Sequence, residues 1–156
     1  MLPLERKNHV EASGVFPNMI ETKSLEFKTK GENDILNITP DVEKVLKNSD
    51  VNDGTVVLFV QSTTSGLAIT EYEEGLLQDF QMMMERIAPK GAEYEHEKAW
   101  HDGNGHSHMR SSVLGMSLVL PFQDKTLLLG QWQQIILAEF DVRPRKRTVI
   151  MQIQAN

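Results

Sequence analysis

Cysteine is absent from all 156 residues. That excludes a disulfide framework and thiolate chemistry, and it fits a reducing compartment. No apolar run approaches the roughly 18 residues that a membrane-spanning helix needs. The N-terminal stretch MLPLERKNHVEASGVF has no continuous apolar block, so no secretory signal is expected and a cytoplasmic location is. Positive charge is also in short supply: 16 Lys and Arg stand against 22 Asp and Glu, a formal charge of −6. General nucleic-acid binding needs a basic surface to displace counterions and is not expected, although one local basic pocket is not forbidden. What is present is ordinary for a globular chain, with 40% hydrophobic and 24% charged residues. A chain of this length buries roughly 70% of its unfolded surface without metal or disulfide staples, which implies one domain.

Residues 1–20 show neither helical nor strand period and read as an arm, leaving 21–156 as the domain. LEFKT (25–29) alternates as a half-buried strand, and ILNIT (35–39) gives a second one. Thr39 as N-cap with Pro40 at the first helical position starts a short helix carrying Val42, Val45 and Leu46. TVVLFV (55–60) is almost wholly apolar, which predicts a central strand covered on both faces. LAIT follows, then a T-x-x-E capping box at Thr70 and Glu73. Behind it Leu76, Leu77, Phe80, Met83, Met84 and Ile87 keep a 3.6-residue period and are assigned to the core.

After residue 116 the chain reads as consecutive strands, SLVLPF, TLLLG, QQIILAEFDV and RTVIMQI, in a meander-like pattern. Pro121 cannot donate to a ladder, so its strand is expected at an edge or bulge. In QQIILAEFDV, Ile136, Ala138, Phe140 and Val142 share one face and Glu139 and Asp141 the other. The class is α+β: about seven or eight strands in a mainly antiparallel sheet, with two or three helices packed on it.

The densest chemistry lies in HDGNGHSHMR, 101–110, which holds three of the five histidines. With His96 in YEHEKAW, four histidines fall within thirteen residues, beside Asp102. Imidazole and carboxylate groups bind zinc, and a catalytic site uses three protein ligands and one open position. His106 and His108 share a side in extended chain, but in a helix they stand about 200° apart. The segment from 108 reads as helical, with Met109, Val113 and Met116 on one face and Gly115 at its C-terminal end. With Ser107 as N-cap both rings can face one point, and with Asn104 as cap only one can. Ser107 is favoured. The plain alternative is a solvated loop whose histidines do nothing in particular.

Two further segments are polar where a core pattern does not require it. STTSG (62–66) lies between two apolar strands, and its hydroxyls and N–H groups can form an anion-binding concavity or simply an ordinary turn. RPRKR (143–147) is the one basic run. In extended chain Arg145 and Arg147 point the same way, able to fork onto a phosphate or carboxylate, unless this is a hairpin turn with solvated charges.

Taken together, VVLFVQSTTSGLAITEYEEGLLQDF, YEHEKAW, DGNGHSHMRSSVLGMSLVLPF and LLLGQWQQIILAEFDVRPRKR resemble the YjbQ-like family, often labelled secondary thiamine-phosphate synthase. The resemblance covers roughly residues 22–154. It implies a compact α+β domain that associates as a homotrimer, with a metal-capable histidine cluster in a pocket that a neighbouring subunit can complete. The attributed activity joins a pyrimidine pyrophosphate to a thiazole phosphate. Many relatives have histidine where this chain has Gln61, and Asn-Glu where it has Thr70 and Glu71. Those departures resemble an archaeal-looking branch.

Carried over by position, the resemblance implies His96, His106 and His108 as ligands of a divalent ion, zinc being one candidate, since imidazole suits zinc, copper, iron and nickel alike. It implies Asp102, His108 and Glu71 in catalysis, and Ser62, Thr63, Gln133, Arg145 and Arg147 in substrate binding. His101 is less clearly part of the pattern. Three functions follow as expectations: the synthase-like transfer, a metal-dependent hydrolase of a small phosphoester or amide, and a non-catalytic trimer that binds a small anion.

Overall fold

A computed structural model of the chain describes residues 19–155; the proposed arm lies almost wholly outside them. Eight strands form two antiparallel sheets. The larger has the order β1 (Ile20–Lys28), β8 (Lys146–Ala155), β3 (Gly54–Val60), β5 (Ser117–Gln123), β6 (Thr126–Leu127). The smaller has the order β2 (Ile35–Asn37), β7 (Gln134–Glu139), β4 (Ser65–Thr70). Four helices complete the described residues: α1 (Thr39–Lys47), α2 (Glu74–Ile87), α3 (Glu95–Trp100) and α4 (Gly105–Leu114).

The expected α+β class holds, with one correction of topology. The strands after residue 116 are not a meander, because only β5 and β6 form a hairpin. The chain passes from the large sheet to the small one between β6 and β7, and returns between β7 and β8. Strand β5 is flanked along most of its length by β3 alone, since the two-residue β6 pairs only with Phe122 and Gln123, so Pro121 sits at the expected edge position.

Alternation decides which side chains go where. Val56, Leu58, Val60, Leu120, Phe122, Val149, Met151 and Ile153 of the large sheet meet Leu67, Ile135 and Leu137 of the small sheet, with Val42 and Leu46 of α1. The other face of β7 presents Ile136 and Ala138, followed by Phe140, to Met84, Leu77 and Phe80 of α2 and Leu114 of α4. The layers are therefore large sheet, small sheet, helices. The strand covered on both faces is β7, not β3: Phe59 is 45% and Val119 67% exposed on the open side of the large sheet.

Two helix starts differ from the expected caps. Glu73, not Thr70, caps α2: its carboxylate accepts from the N–H groups of Gly75 (2.8 Å) and Leu76 (3.0 Å). Ile38 occupies the cap of α1, where the Asn37 side chain accepts from Thr39 N–H, and Thr39 Oγ1 instead accepts from Ile135 N–H at 2.7 Å. Within α2, Met84 is buried as expected, but Leu76, Met83 and Ile87 lie on the outer side. The apolar stripe is wider than the sheet it packs on.

Candidate functional site

Two of the crossings between sheets lie side by side. Residues 61–64 lead from β3 to β4, and residues 140–145 lead from β7 to β8; Phe140 N–H donates to Thr64 O at 3.0 Å, tying one to the other. Facing them stand α3 and α4. Between these walls is an open cleft of 640 Å³, lined in part by Gln61, Ser62, Thr63, His96, Asp102, His108, Arg145 and Arg147. Eight of the positions singled out by sequence thus share one cavity.

The floor is a charged network. Glu139, fully buried, accepts from Arg147 Nε and Nη2 at 2.6 Å each, from Thr29 Oγ1 at 2.8 Å and from Asp141 N–H at 2.9 Å. Asp141, also buried, accepts Arg145 Nε and Nη2 at 2.9 Å and the Thr64 hydroxyl at 3.2 Å. Arg147 Nη2 donates to Thr64 Oγ1 at 2.7 Å, which links the two ion pairs. Burial alone would raise the Asp141 carboxyl. The hydrogen bond and charge of Arg145, with the Arg143 N–H and the Thr64 hydroxyl, outweigh it and hold the group below the usual range. Ser62 Oγ accepts from Thr64 N–H at 3.1 Å, a serine turn that fixes the 61–64 segment.

The opposite wall corrects the histidine reading. The N-cap of α4 is Asn104, not Ser107. The reason is Glu97 on α3, whose carboxylate accepts from Gly103 N–H (2.7 Å) and Gly105 N–H (2.6 Å) and starts the helix three residues early. Gly105 permits it, because a Cβ there would lie 2.6 Å from Tyr94 Cβ. His106 and His108 are therefore both helical and diverge.

His108 faces the cleft beside His96, with ring centroids 4.6 Å apart. His96 Nε2 lies 3.6 Å from Asp102 Oδ1 and is buried without a hydrogen-bond partner. His106, 1% exposed, turns to the far side of α4, where Nε2 meets Glu32 Oε1 at 3.0 Å. Burial pushes the His106 imidazole below its ordinary value; Glu32 opposes that shift and Arg110 adds to it. Among the described residues no three His, Asp or Glu side chains converge as a cation cage, so the three-histidine set is not assembled.

Helix α4 is built the wrong way round for its period. Met109 and Val113 are exposed, while His106, Ser107, Arg110 and Ser111 are buried. Each buried polar group has a partner. Ser107 donates to Phe140 O at 2.5 Å, Ser111 to Ser65 O at 2.7 Å, and Arg110 Nε to Ala88 O at 3.0 Å. Met109 and Val113, which share a face of the helix, point outward.

Glu71 and Gln133 are not in the cleft. Thr70 pairs with Gln134 at one end of the small sheet and Ser65 with Glu139 at the other. The six residues of β4 therefore separate them from the floor by about 20 Å. Gln133 accepts from Gly130 N–H in a local turn. His101 takes a left-handed conformation after α3 (φ 53°) and lies in a neighbouring depression with Glu97.

The family model described as "UPF0047 protein YjbQ-like" matches residues 23–156. The chain belongs to the YjbQ-like family. A UPF0047 protein of Archaeoglobus fulgidus is 38% identical over 82% of this YjbQ-like chain and 97% of its own length. The UPF0047 protein YugU of Bacillus subtilis is 32% identical over 84% and 97%. Among solved structures, a hypothetical protein of Aeropyrum pernix superposes with a TM-score of 0.80 at 31% identity, covering 87% of this chain and 99% of the other. A YbjQ-like protein of unknown function from Sulfolobus solfataricus gives the same score at 24% identity, which speaks to fold alone.

Sequence reasoning missed several members of this YjbQ-like site. Thr64, Glu139 and Asp141 hold both arginines, and Glu97 sets the phase of α4. Asp141 and Glu139 carried a signal, two acids on one face at the end of the apolar run QQIILAEFDV, where a buried carboxylate needs a cationic partner.

Proposed function

We propose that this cleft is the active site of an enzyme acting on a small phosphorylated molecule, specifically a thiamine-phosphate-synthase-like transferase. It would join a pyrimidine carried on pyrophosphate to a thiazole phosphate and release pyrophosphate. One observation supports the reading above others: hydroxyls and arginines on one wall face two adjacent imidazoles on the other, within a single cavity. Ser62 and Thr63 offer donors for a phosphate. Arg145 has a 42% exposed side chain and engages Asp141 through Nε and Nη2, leaving Nη1 for a ligand. Arg147, only 11% exposed and forked onto Glu139, serves better to hold the floor than to grip substrate. Negative charge appearing on departing pyrophosphate oxygens is what donors fixed in advance stabilise best.

For a divalent ion the residues fit in a reduced form. The unpartnered Nε2 of His96 and the adjacent His108 ring form an imidazole pair, with Asp102 beside His96. The two imidazoles would hold the ion, leaving its other positions to water or substrate phosphate, and it would supply Lewis-acid stabilisation of phosphate charge. His106 would take no part. A homotrimer is proposed with this reading: Phe59 lies both on the open face of the large sheet and at the cleft, where a neighbouring subunit would reach it.

A second reading is hydrolysis of a phosphoester, favoured by Asp102 standing 3.6 Å from His96. A carboxylate beside an imidazole orients the ring to take a proton from water. The test offers the purified protein both thiamine precursors and, separately, generic phosphoesters, and follows product by chromatography. Formation of thiamine phosphate, reduced about 100-fold or more in Arg145→Ala, is the expected result. Turnover of phosphoesters alone would move the assignment to the hydrolase.

A further inference from the structure

An exposed tryptophan at the mouth of a polar cleft needs an explanation. Trp100 is 72% exposed, and α3, which carries it, buries none of its residues. Burying so large a ring is strongly favourable in general, so leaving it in water gives up a substantial gain unless something covers it. Its position is not arbitrary. Trp100 follows His96 by four residues on α3, which puts both on one face of the helix. Both line the cleft, where Phe59 and Met116 add further apolar surface. The cleft thus has two characters: hydroxyls and arginines along the 61–64 and 140–145 segments, and an aromatic side formed by Trp100 and Phe59.

We infer that Trp100 is a positioning residue for substrate: its indole face stacks on a planar ring whose attached phosphate lies against Ser62, Thr63 and Arg145. This rests on the phosphate-binding reading above and adds to it the residue that selects for a flat, ring-bearing ligand over an open-chain one. The π-face of an indole accepts aromatic rings with little regard to their hydrogen-bonding edges, so the contribution is to affinity and orientation. The remainder of the cleft does not provide such a platform, since Met116 is flexible and Phe59 belongs to the sheet rather than to the helical wall.

The experiment uses the full chain carrying Trp132→Phe, so that Trp100 is the sole tryptophan. Trp132 lies by the turn at Gly130–Gln133, at the other end of the small sheet, outside the cleft. Tryptophan emission and calorimetry are followed during titration with inorganic phosphate, ribose 5-phosphate, cytidine 5′-monophosphate and adenosine 5′-monophosphate. The inference expects quenching of Trp100 by a nucleotide and at least about tenfold tighter binding of that nucleotide than of ribose 5-phosphate. Trp100→Ala should erase that tenfold difference while leaving ribose 5-phosphate affinity within twofold, and Trp100→Phe should restore part of it. Equal affinity for nucleotides and ribose 5-phosphate, or an equal loss of both in Trp100→Ala, overturns the stacking role and leaves the phosphate reading standing. If no phosphate compound binds, and Arg145→Ala changes nothing, the phosphate reading falls and the inference with it. Emission that shifts to the blue with protein concentration alone would assign Trp100 to contact between copies and also overturn it.

Discussion

The two arginines of the basic run show how little a charge says about its role until its partner is known. Both face the cleft, as the extended-chain argument predicted, but Arg147 is committed to a carboxylate of zero exposure. Arg147→Ala would leave Glu139 buried and unpaired, and should cost about 3–5 kcal/mol in chemical denaturation. Arg145→Ala, at an exposed position, should change stability far less and phosphate affinity more. Asp141 gives the pH dependence. An unfolded aspartate takes up its proton near pH 3.9, and the folded one does so at lower pH. Its contribution is therefore complete above pH 3.9 and declines as pH falls through the folded value. Asp141→Asn should flatten the acid limb of a melting-temperature profile.

His106 carries the opposite lesson, since a histidine in a promising motif can be a structural group. Its pKa is lowered by burial, so the unfolded chain protonates first as pH drops below about 6.5, and stability declines from there. His106→Gln should soften that decline. Elemental analysis should find bound metal unchanged in His106→Gln and absent in His96→Ala and His108→Ala; retention in both of the latter would remove the imidazole pair from metal binding.

Among the elements, α4 departs furthest from expectation. Its start is set by Glu97, a residue eight positions before the N–H it caps at Gly105, and nothing in local capping patterns marks such a partner. The first turn then fixes the phase of every side chain after it. Gly105→Ala should force Cβ into Tyr94 and cost about 1–3 kcal/mol, read as a lowered melting temperature. Glu97→Gln weakens the same cap electrostatically. It should shift the phase or order of α4 enough to separate His108 from His96, seen as loss of activity larger than any loss of stability. The short α3 escaped the sequence reading because six residues with no buried side chain leave no hydrophobic period to find. All eight strands were legible, since alternation is local and β-branched runs announce themselves.

At the scale of the molecule, the partition into two sheets creates the site. Two of the crossings between the sheets, β3 to β4 and β7 to β8, lie at the same end, and their loops form the cleft floor. Glu71 and Gln133 sit at the other end, so within one chain they cannot reach a phosphate held by Ser62. If the proposed trimer forms, sedimentation should give three times the chain mass. A charge placed at Val119 on the open face of the large sheet should dissociate it if that face carries the contact.

The sequence by itself determined the class, the strands, the main helices and many of the polar residues that line the cleft, because period, turn residues and polar clusters are local properties of a chain. The tertiary structure alone decided which histidine faces the cleft, which arginine is free, and which ends of the strands meet. Those choices depend on pairing between residues such as Glu97 with Gly105 and Glu139 with Arg147. Burial makes an unmet polar group costly wherever its partner lies in the sequence.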